Sequence, residues 1–394
     1  MGSQTKVVVC GGGNAAHVLV PAIKEAGGTW VAVLATFGDE SQRIANGVAQ
    51  GGIIAAYRDH HYRGVPDLVT SSPSEAIPSA DVVIVSVPAF AHAQVVESIA
   101  PYLKCGAFLG AMPSRSGFEF YATNKHLRDR DITLFGFQTL PWACRVADYG
   151  RLVNVLGRKN IVSMGAFPTS KTAGVAQVLA SITGLRIRPA NSMLSISLGN
   201  VGQIIHPGIM YGFFHGREDL DYDSDSVPLF YQSVNRETSM ILDLMSREIL
   251  AVARLIEQKH GVNLGDVIGL KQWLLDSYGD QIRDKTDIQT CFATNSAYEG
   301  IKAPVIGEGN KFRPDFKSRY LTEDVPYGLV VTRGVAAICG IETPVIDRVI
   351  DTCSHWMGVQ YLIGGKPCGR DVSGTRHPVV YGIRDIDRLI ATSV

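Results

Sequence analysis

What the chain lacks narrows what it can do. It has no run of Lys or Arg, and its 37 basic residues balance 37 acidic ones, so neither nucleic acid nor an anionic membrane is expected as a partner. No apolar stretch reaches the ~18 to 20 residues that cross a bilayer. Cys10, Cys105, Cys144, Cys291, Cys339, Cys353 and Cys368 are scattered, odd in number and without C-x-x-C spacing. That pattern predicts reduced thiols, with no metal site and no disulfide framework. Met1-Gly2-Ser3-Gln4-Thr5-Lys6 leads straight into a strand pattern and leaves no room for a signal peptide, so a cytosolic protein is expected.

What is present begins with a strand that empties into a glycine turn. Lys6-Val7-Val8-Val9-Cys10 runs into Gly11-Gly12-Gly13-Asn14-Ala15-Ala16-His17, a G-x-G-x-x-A pattern opening a helix. Gly11 permits the tight turn, Gly13 lets backbone approach a pyrophosphate, and Ala16 keeps helix and sheet close. Free N–H groups at the helix start then face the phosphates. This is the pattern of a dinucleotide site. Pro21 falls inside the helix, where it removes a backbone bond and predicts a kink or a short helix.

One expected part of the fingerprint is missing. An acid about 20 residues on, at the end of the second strand, ordinarily holds the adenosine ribose. Here Trp30-Val31-Ala32-Val33-Leu34-Ala35 ends in Thr36-Phe37-Gly38, and the first acids are Asp39 and Glu40. Either Asp39 reaches back, or backbone and Arg43 hold the ribose. Because Arg43 can also bind a 2′-phosphate, the pattern favours NAD over NADP only in part.

At 394 residues, two domains are the default. Apolar runs at Ala80–Val87, 107–112 and 132–137 alternate with helical patterns as far as Pro189, predicting a doubly wound α/β domain over 1–189. Short runs at 152–156 and 161–167 are read as extending its sheet. Pro88 and Ala89, in the loop beginning at Val87, should face the cofactor, as should the loops after Met112 and Phe137. From Ala190 the spacing turns helical, over Ser192–Ile205 and Val234–His260, with Leu242, Met245, Ile249, Val252 and Ile256 on one stripe. Residues 190–394 therefore read as a mainly α-helical second domain.

Three segments can carry chemistry. His206, directly before Pro207 at the end of an apolar helix, is expected at a break where its ring projects, the alternative being a core histidine satisfied by a carbonyl. His17 and His92 have similar local claims, while His60-His61 reads as a solvated loop. In Arg319-Tyr320-Leu321-Thr322-Glu323-Asp324, Arg319 offers a fork for a carboxylate and Asp324 can orient a histidine. On spacing alone, a capping and turn segment before a helix at Gly328 to Gly340 is the favoured reading. Trp142 and Arg145, in Phe137-Gln138-Thr139-Leu140-Pro141-Trp142-Ala143-Cys144-Arg145, can be packing and surface charge, yet they follow a sheet strand.

Together these stretches, with Val87-Pro88-Ala89-Phe90-Ala91-His92, Pro113-Ser114, Gly117-Phe118-Glu119-Phe120, His206-Pro207, Pro228-Leu229-Phe230-Tyr231 and Gly369 to Arg376, resemble the opine dehydrogenase family of octopine, alanopine, strombine and tauropine type. They span almost the whole chain in the family's order. The resemblance implies a cytosolic, monomeric enzyme that condenses pyruvate with an amino acid and reduces the imine with NADH, reoxidising glycolytic NADH when oxygen is short. It implies His206 and Asp324 as the acid/base pair, Arg319 as the pyruvate anchor, and Thr139 and Trp273 near the amino acid. It also places Gly11, Gly13, Asn14, Ala15, Ala16, Thr36, Phe37, Arg43, Pro88 and Ala89 around NAD.

Two positions depart from the octopine type. Gln138 stands where arginine-using relatives have Glu, so a small neutral partner such as alanine, glycine, β-alanine or taurine is expected rather than arginine. Arg115 stands where that type has Gln, and is either a binder of the second acid group of the substrate or a surface cation. The alternatives are arginine use after all, or a simple hydroxy acid dehydrogenase on the same scaffold.

Overall fold

The computed structural model describes residues 4–394; Met1–Ser3, where the reading of a chain start without a leader falls, lie outside them. The chain divides into two compact units, residues 1–114, 118–196 and 392–394 in one, residues 115–117 and 197–391 in the other.

The first unit carries β1 (Thr5–Cys10), β2 (Thr29–Leu34), β3 (Ile53–Tyr57), β4 (His60–Gly64), β5 (Leu68–Thr70), β6 (Val82–Val85), β7 (Phe108–Ala111), β8 (Thr133–Phe137), β9 (Trp142–Asp148), β10 (Leu152–Arg158), β11 (Val162–Phe167) and β12 (Ile187–Pro189). Eight of them form one sheet in the order β12-β11-β8-β7-β6-β1-β2-β5. It is parallel except where β11 runs against β8, Met164 opposite Phe137. The chain winds outward from β1 to β2 and β5, then returns to build the other half from β6, which puts the topological switch between β1 and β6. Val7, Val8, Val9, Val82, Val83 and Ile84 are buried on both faces, which explains their unbroken apolar runs.

β10 does not extend this sheet. It belongs to a second, four-stranded sheet, β4-β3-β10-β9, in which β10 pairs parallel with β3 and antiparallel with β9. The His60-His61 pair is accordingly exposed on strand β4, not in a loop. This sheet lies against the first helix, Asn14–Ala26, and a Cβ on Gly64 would stand 2.7 Å from Pro21 Cα. The helix runs through Pro21 to Ala26, longer than its proline suggests, because Val18, Leu19, Val20 and Ile23 bury its length. Cys10 and Cys144 are free thiols that burial pushes up to about 12 and about 11, unreactive packing groups.

The second unit is mainly helical. Its longest helix, Arg236–His260, is capped by Asn235, whose side chain accepts from Thr238 N, and buries the stripe from Leu242 to Ile256. It packs on the helix Gly202–Phe214, where a Cβ on Gly208 would lie 2.6 Å from Leu242 Cδ2. Among the described residues no helix is long and apolar enough to cross a membrane.

The expected helix over Ser192–Ile205 is broken. It ends at Leu198, and a new helix begins at Gly202. His206 is therefore not at a helix end but in the second turn of the Gly202–Phe214 helix, which continues through Pro207. The break lies six to eight residues upstream of the proline, at Gly199–Val201. Pro207 lies in the second turn and has no N–H to give the Gln203 carbonyl, a bond the helix forgoes.

Candidate active site

The nucleotide residues gather at one edge of the first unit, beyond the carboxyl ends of β1, β2 and β6. Gly11 has φ +119°, and a Cβ there would lie 2.8 Å from Ser86 O, so only glycine closes this turn. Gly13 has an ordinary φ of −83°, with nothing within 4 Å of where its Cβ would stand. The fold does not require that glycine, but a pyrophosphate approaching the backbone does. The helix start has neither a capping side chain nor an acid in its first turn, leaving N–H groups for an anion. These residues fit a dinucleotide.

The structure places Asn14 Oδ1 on Val146 N (2.7 Å), with Ala15 and Ala16 following it in the first helical turn and Ala16 buried. Thr36 and Phe37 are exposed beyond β2; Pro88 is half-buried and Ala89 buried beyond β6. Asp39 is exposed and does not reach back; it pairs with Arg43 at 3.8 Å. Arg43 lies over the Tyr149 ring, 4.1 Å from its centroid. The acid that does reach the turn is Glu40: its Oε2 lies 3.0 Å from where a Gly12 Cβ would stand. Burial raises its pKa, offset in part by Tyr149, Arg43 and the Gly12 N–H.

His17 and His92 are structural. His17 Nδ1 donates to Gly13 O (2.9 Å) while Nε2 accepts from Gly150 N (2.8 Å), and burial lowers its pKa, so a neutral ring pins the glycine turn to the β9–β10 turn. His92 is fully buried and its Nε2 donates to Val87 O at 3.0 Å. Trp142 belongs to the core and Arg145 is exposed. Gln138 (7% exposed) directly follows β8, its N–H donating to Ser163 O, with half-buried Thr139 next to it. Both lie in the first unit.

In the second unit the structure brings His206 and Asp324 together across 118 residues, His206 Nδ1 and Asp324 Oδ2 at 2.6 Å. Facing a carboxylate, Nδ1 is the donor, which leaves the lone pair of a neutral ring on Nε2. Tyr231 Oη lies 3.2 Å from Nε2. Burial holds the Tyr231 pKa well above its ordinary value, with Tyr320, Tyr278 and Asp324 adding to it, so its hydroxyl keeps its proton and donates to Nε2. Tyr320 stacks on the His206 ring, 4.2 Å between centroids and 9° from parallel. Trp273, 5% exposed, reaches this cluster through Tyr278, Tyr298 and Tyr231 in edge and stacked contacts.

Asp324 is no helix cap. It stands before a π-turn, Val325–Leu329, makes no capping bond, and gives its second oxygen to Arg115, Nη1 to Oδ1 at 2.5 Å. Arg115 also donates from Nε to Glu323 Oε1 (3.2 Å), and Glu323 Oε2 receives Arg319 Nε and Nη2 at 3.0 and 2.6 Å. Charges therefore alternate along Arg319, Glu323, Arg115, Asp324 and His206. Arg319 is 62% exposed, with its Nη1 side left for a ligand carboxylate, whereas Arg115 is 15% exposed. Burial works against the Arg115 charge, but Asp324 and Glu323 outweigh it and raise its pKa. Tyr231, Tyr320 and Glu323 were given no role by sequence. Their motifs were visible, but nothing local shows which side chains meet His206.

A glycine turn at the switch point of one unit and a His–Asp pair among arginines in the other are compatible with an NAD-dependent oxidoreductase. Residues 189–357 match the family described as NAD/NADP octopine/nopaline dehydrogenase, alpha-helical domain. The chain is 35% identical to tauropine dehydrogenase of Arabella iricolor, covering 98% of this chain and 99% of that one. It is 36% identical to octopine dehydrogenase of Pecten maximus, covering 98% of each. The structure of an octopine dehydrogenase with NADH and L-arginine superposes with a TM-score of 0.89 at 34% identity over 98% of both chains. The chain belongs to the opine dehydrogenase family, a family of NAD-dependent oxidoreductases.

Proposed function

We propose that this enzyme condenses pyruvate with a small neutral amino acid and reduces the product to an N-(1-carboxyethyl) amino acid. Relatives named tauropine, opine and octopine dehydrogenase, and an octopine dehydrogenase structure with NADH and pyruvate, support the reaction class. The observation that carries the reading is the His206–Asp324 bond with Nε2 turned away from the carboxylate. NADH, held by Gly11, Gly13, the helix start at Asn14 and the loops at Thr36 and Pro88, supplies the hydride.

The remaining work falls to protein side chains. Arg319, through its open Nη1 side, binds the pyruvate carboxylate and aims the carbonyl carbon. His206 Nε2 takes a proton as the amine adds and returns one as the carbinolamine hydroxyl leaves, while Asp324 holds the ring in the productive tautomer. Thr139 and Gln138 of the first unit, and Trp273 of the second, are assigned to the amino acid on the family resemblance. Gln138, buried and neutral, offers a guanidinium no charged partner, which selects against arginine. The enzyme works as a cytosolic monomer that reoxidises glycolytic NADH; its free thiols suit a reducing compartment.

The test is NADH oxidation at fixed pyruvate with alanine, glycine, β-alanine, taurine and arginine, each against a control without amine. Activity with one neutral amine alone supports the reading, and Gln138→Glu should then improve turnover of arginine. Arginine as the best partner of the native enzyme would refute the role of Gln138. Oxidation without amine would leave a hydroxy acid dehydrogenase.

A further inference from the structure

Arg115 sits in a conformation that side chains rarely adopt, φ +57°. Its side chain is largely withdrawn from solvent, 15% exposed. The space it fills is kept open by Gly202, where a Cβ would stand 2.5 Å from Arg115 Nη1 and 2.9 Å from Asp324 Oδ1. The following residues fasten the segment: Ser116 N donates to Tyr327 O (2.9 Å), Ser116 Oγ to Ser197 O (2.7 Å), and Gly117 N to Ser197 Oγ (2.8 Å). A strained backbone, a cation withdrawn from solvent and a missing Cβ converge on one contact, Arg115 with Asp324. An observed outlier of this kind points toward function.

We propose that Arg115 is a positioning residue of the acid/base pair: it fixes Asp324 with one oxygen turned to His206, and offsets the charge of that carboxylate. The proposal rests on reading His206 and Asp324 as that pair. Arg115 faces two different carboxylates and is 15% exposed, whereas Arg319 faces one and is 62% exposed, so of the two Arg319 is the one open to an acid group on the substrate.

The groups facing the pair define the electrostatics. His206 meets Asp324 at Nδ1, Tyr231 at Nε2 and Tyr320 on its face. Asp324 meets Arg115 and the start of the Gly202–Phe214 helix. Glu323 stands between Arg115 and Arg319, and Tyr298 and Tyr278 lie behind Tyr231. Removing the Arg115 charge leaves two carboxylates against Arg319 alone, and the imidazolium form of His206 gains. Its titration must then move to higher pH.

The experiment uses the full chain with Arg115→Gln and Arg115→Lys. Selectively labelled histidine gives the titration midpoint of the His206 ring by NMR, a readout independent of activity. The pH–rate profile is taken for NAD⁺-dependent oxidation of the pyruvate-derived opine of the best amine found above. In Arg115→Gln the ring midpoint and the acidic limb are both expected to rise by about one pH unit, as for a unit charge lost at this range. Arg115→Lys should restore the midpoint but, lacking the planar fork, not the full turnover. An unchanged midpoint in folded Arg115→Gln overturns the proposal, whether KM for the amine stays level or rises; a rise would make Arg115 a substrate binder. A shifted midpoint without a shifted limb keeps the contact and strikes the acid/base reading beneath it.

Discussion

Asp324 spends each oxygen differently, one on an imidazole and one on a guanidinium, and this division is what turns a buried carboxylate into an orienting group. A lone buried acid is costly; Asp324 has two charge-assisted partners, and its bond to Nδ1 fixes the tautomer of His206. On the proposed role of His206, a reacting oxygen would compete with the Tyr231 hydroxyl for Nε2. A His206→Ala variant is expected to turn over about a hundredfold or more slowly. Its affinity for NADH should be unchanged, because the nucleotide turn belongs to the other unit. Steady-state rates beside a fluorescence titration with NADH check both halves, and undiminished turnover removes His206 from the mechanism.

At the scale of elements, the start of the Gly202–Phe214 helix does two things. Its first turn carries glycine where helix propensity favours alanine by about 1 kcal/mol, and the vacated volume admits the Arg115–Asp324 pair. Gly202→Ala should therefore keep or strengthen the helix while displacing the pair, with turnover about tenfold to a hundredfold lower, the scale of a small misplacement of catalytic groups. Circular dichroism and rates measured together test this; full activity would mean the pair tolerates a methyl group. The same element shows what sequence discloses. The parallel strands and the stripe from Leu242 to Ile256 were readable because burial on both faces, or on one helical face, writes itself into local spacing. The second sheet was not, because β3 pairs with β10 about a hundred residues away, and pairing partners leave no mark in either segment. His206 and Asp324 were legible as separate candidates. Arg115 stayed undecided because no residue near it reveals that positions 115–117 pack with the helical unit.

For the molecule as a whole, acid sensitivity is built in at His377, whose pKa burial, helped by Arg333, lowers from 6.5 to about 4. The ring is held neutral when folded, with Nδ1 accepting from Val379 N, and it protonates readily when unfolded. Its contribution to stability is thus complete above pH 6.5 and lost as pH falls toward 4. Glu40, Glu248, Asp347 and Asp351, whose pKa values burial raises, act in the opposite sense, so a comparison with His377→Asn isolates the histidine. From pH 7.5 to 5, urea unfolding should show wild type losing about 2 kcal/mol relative to that variant; parallel profiles would contradict it. The chain also passes more than once from one compact unit to the other, at residues 114–118, 196–197 and 391–392. Heredity feels that threading. A recombinant joined once, near residue 196, inherits Asp324 and Glu323 from one parent and Arg115 from the other, so the helical unit with its buried charges cannot be traded between relatives as a single cassette. Two separated stretches, 115–117 and 197–391, have to descend together, and lineages that exchange halves would have to repair the arginine afterwards.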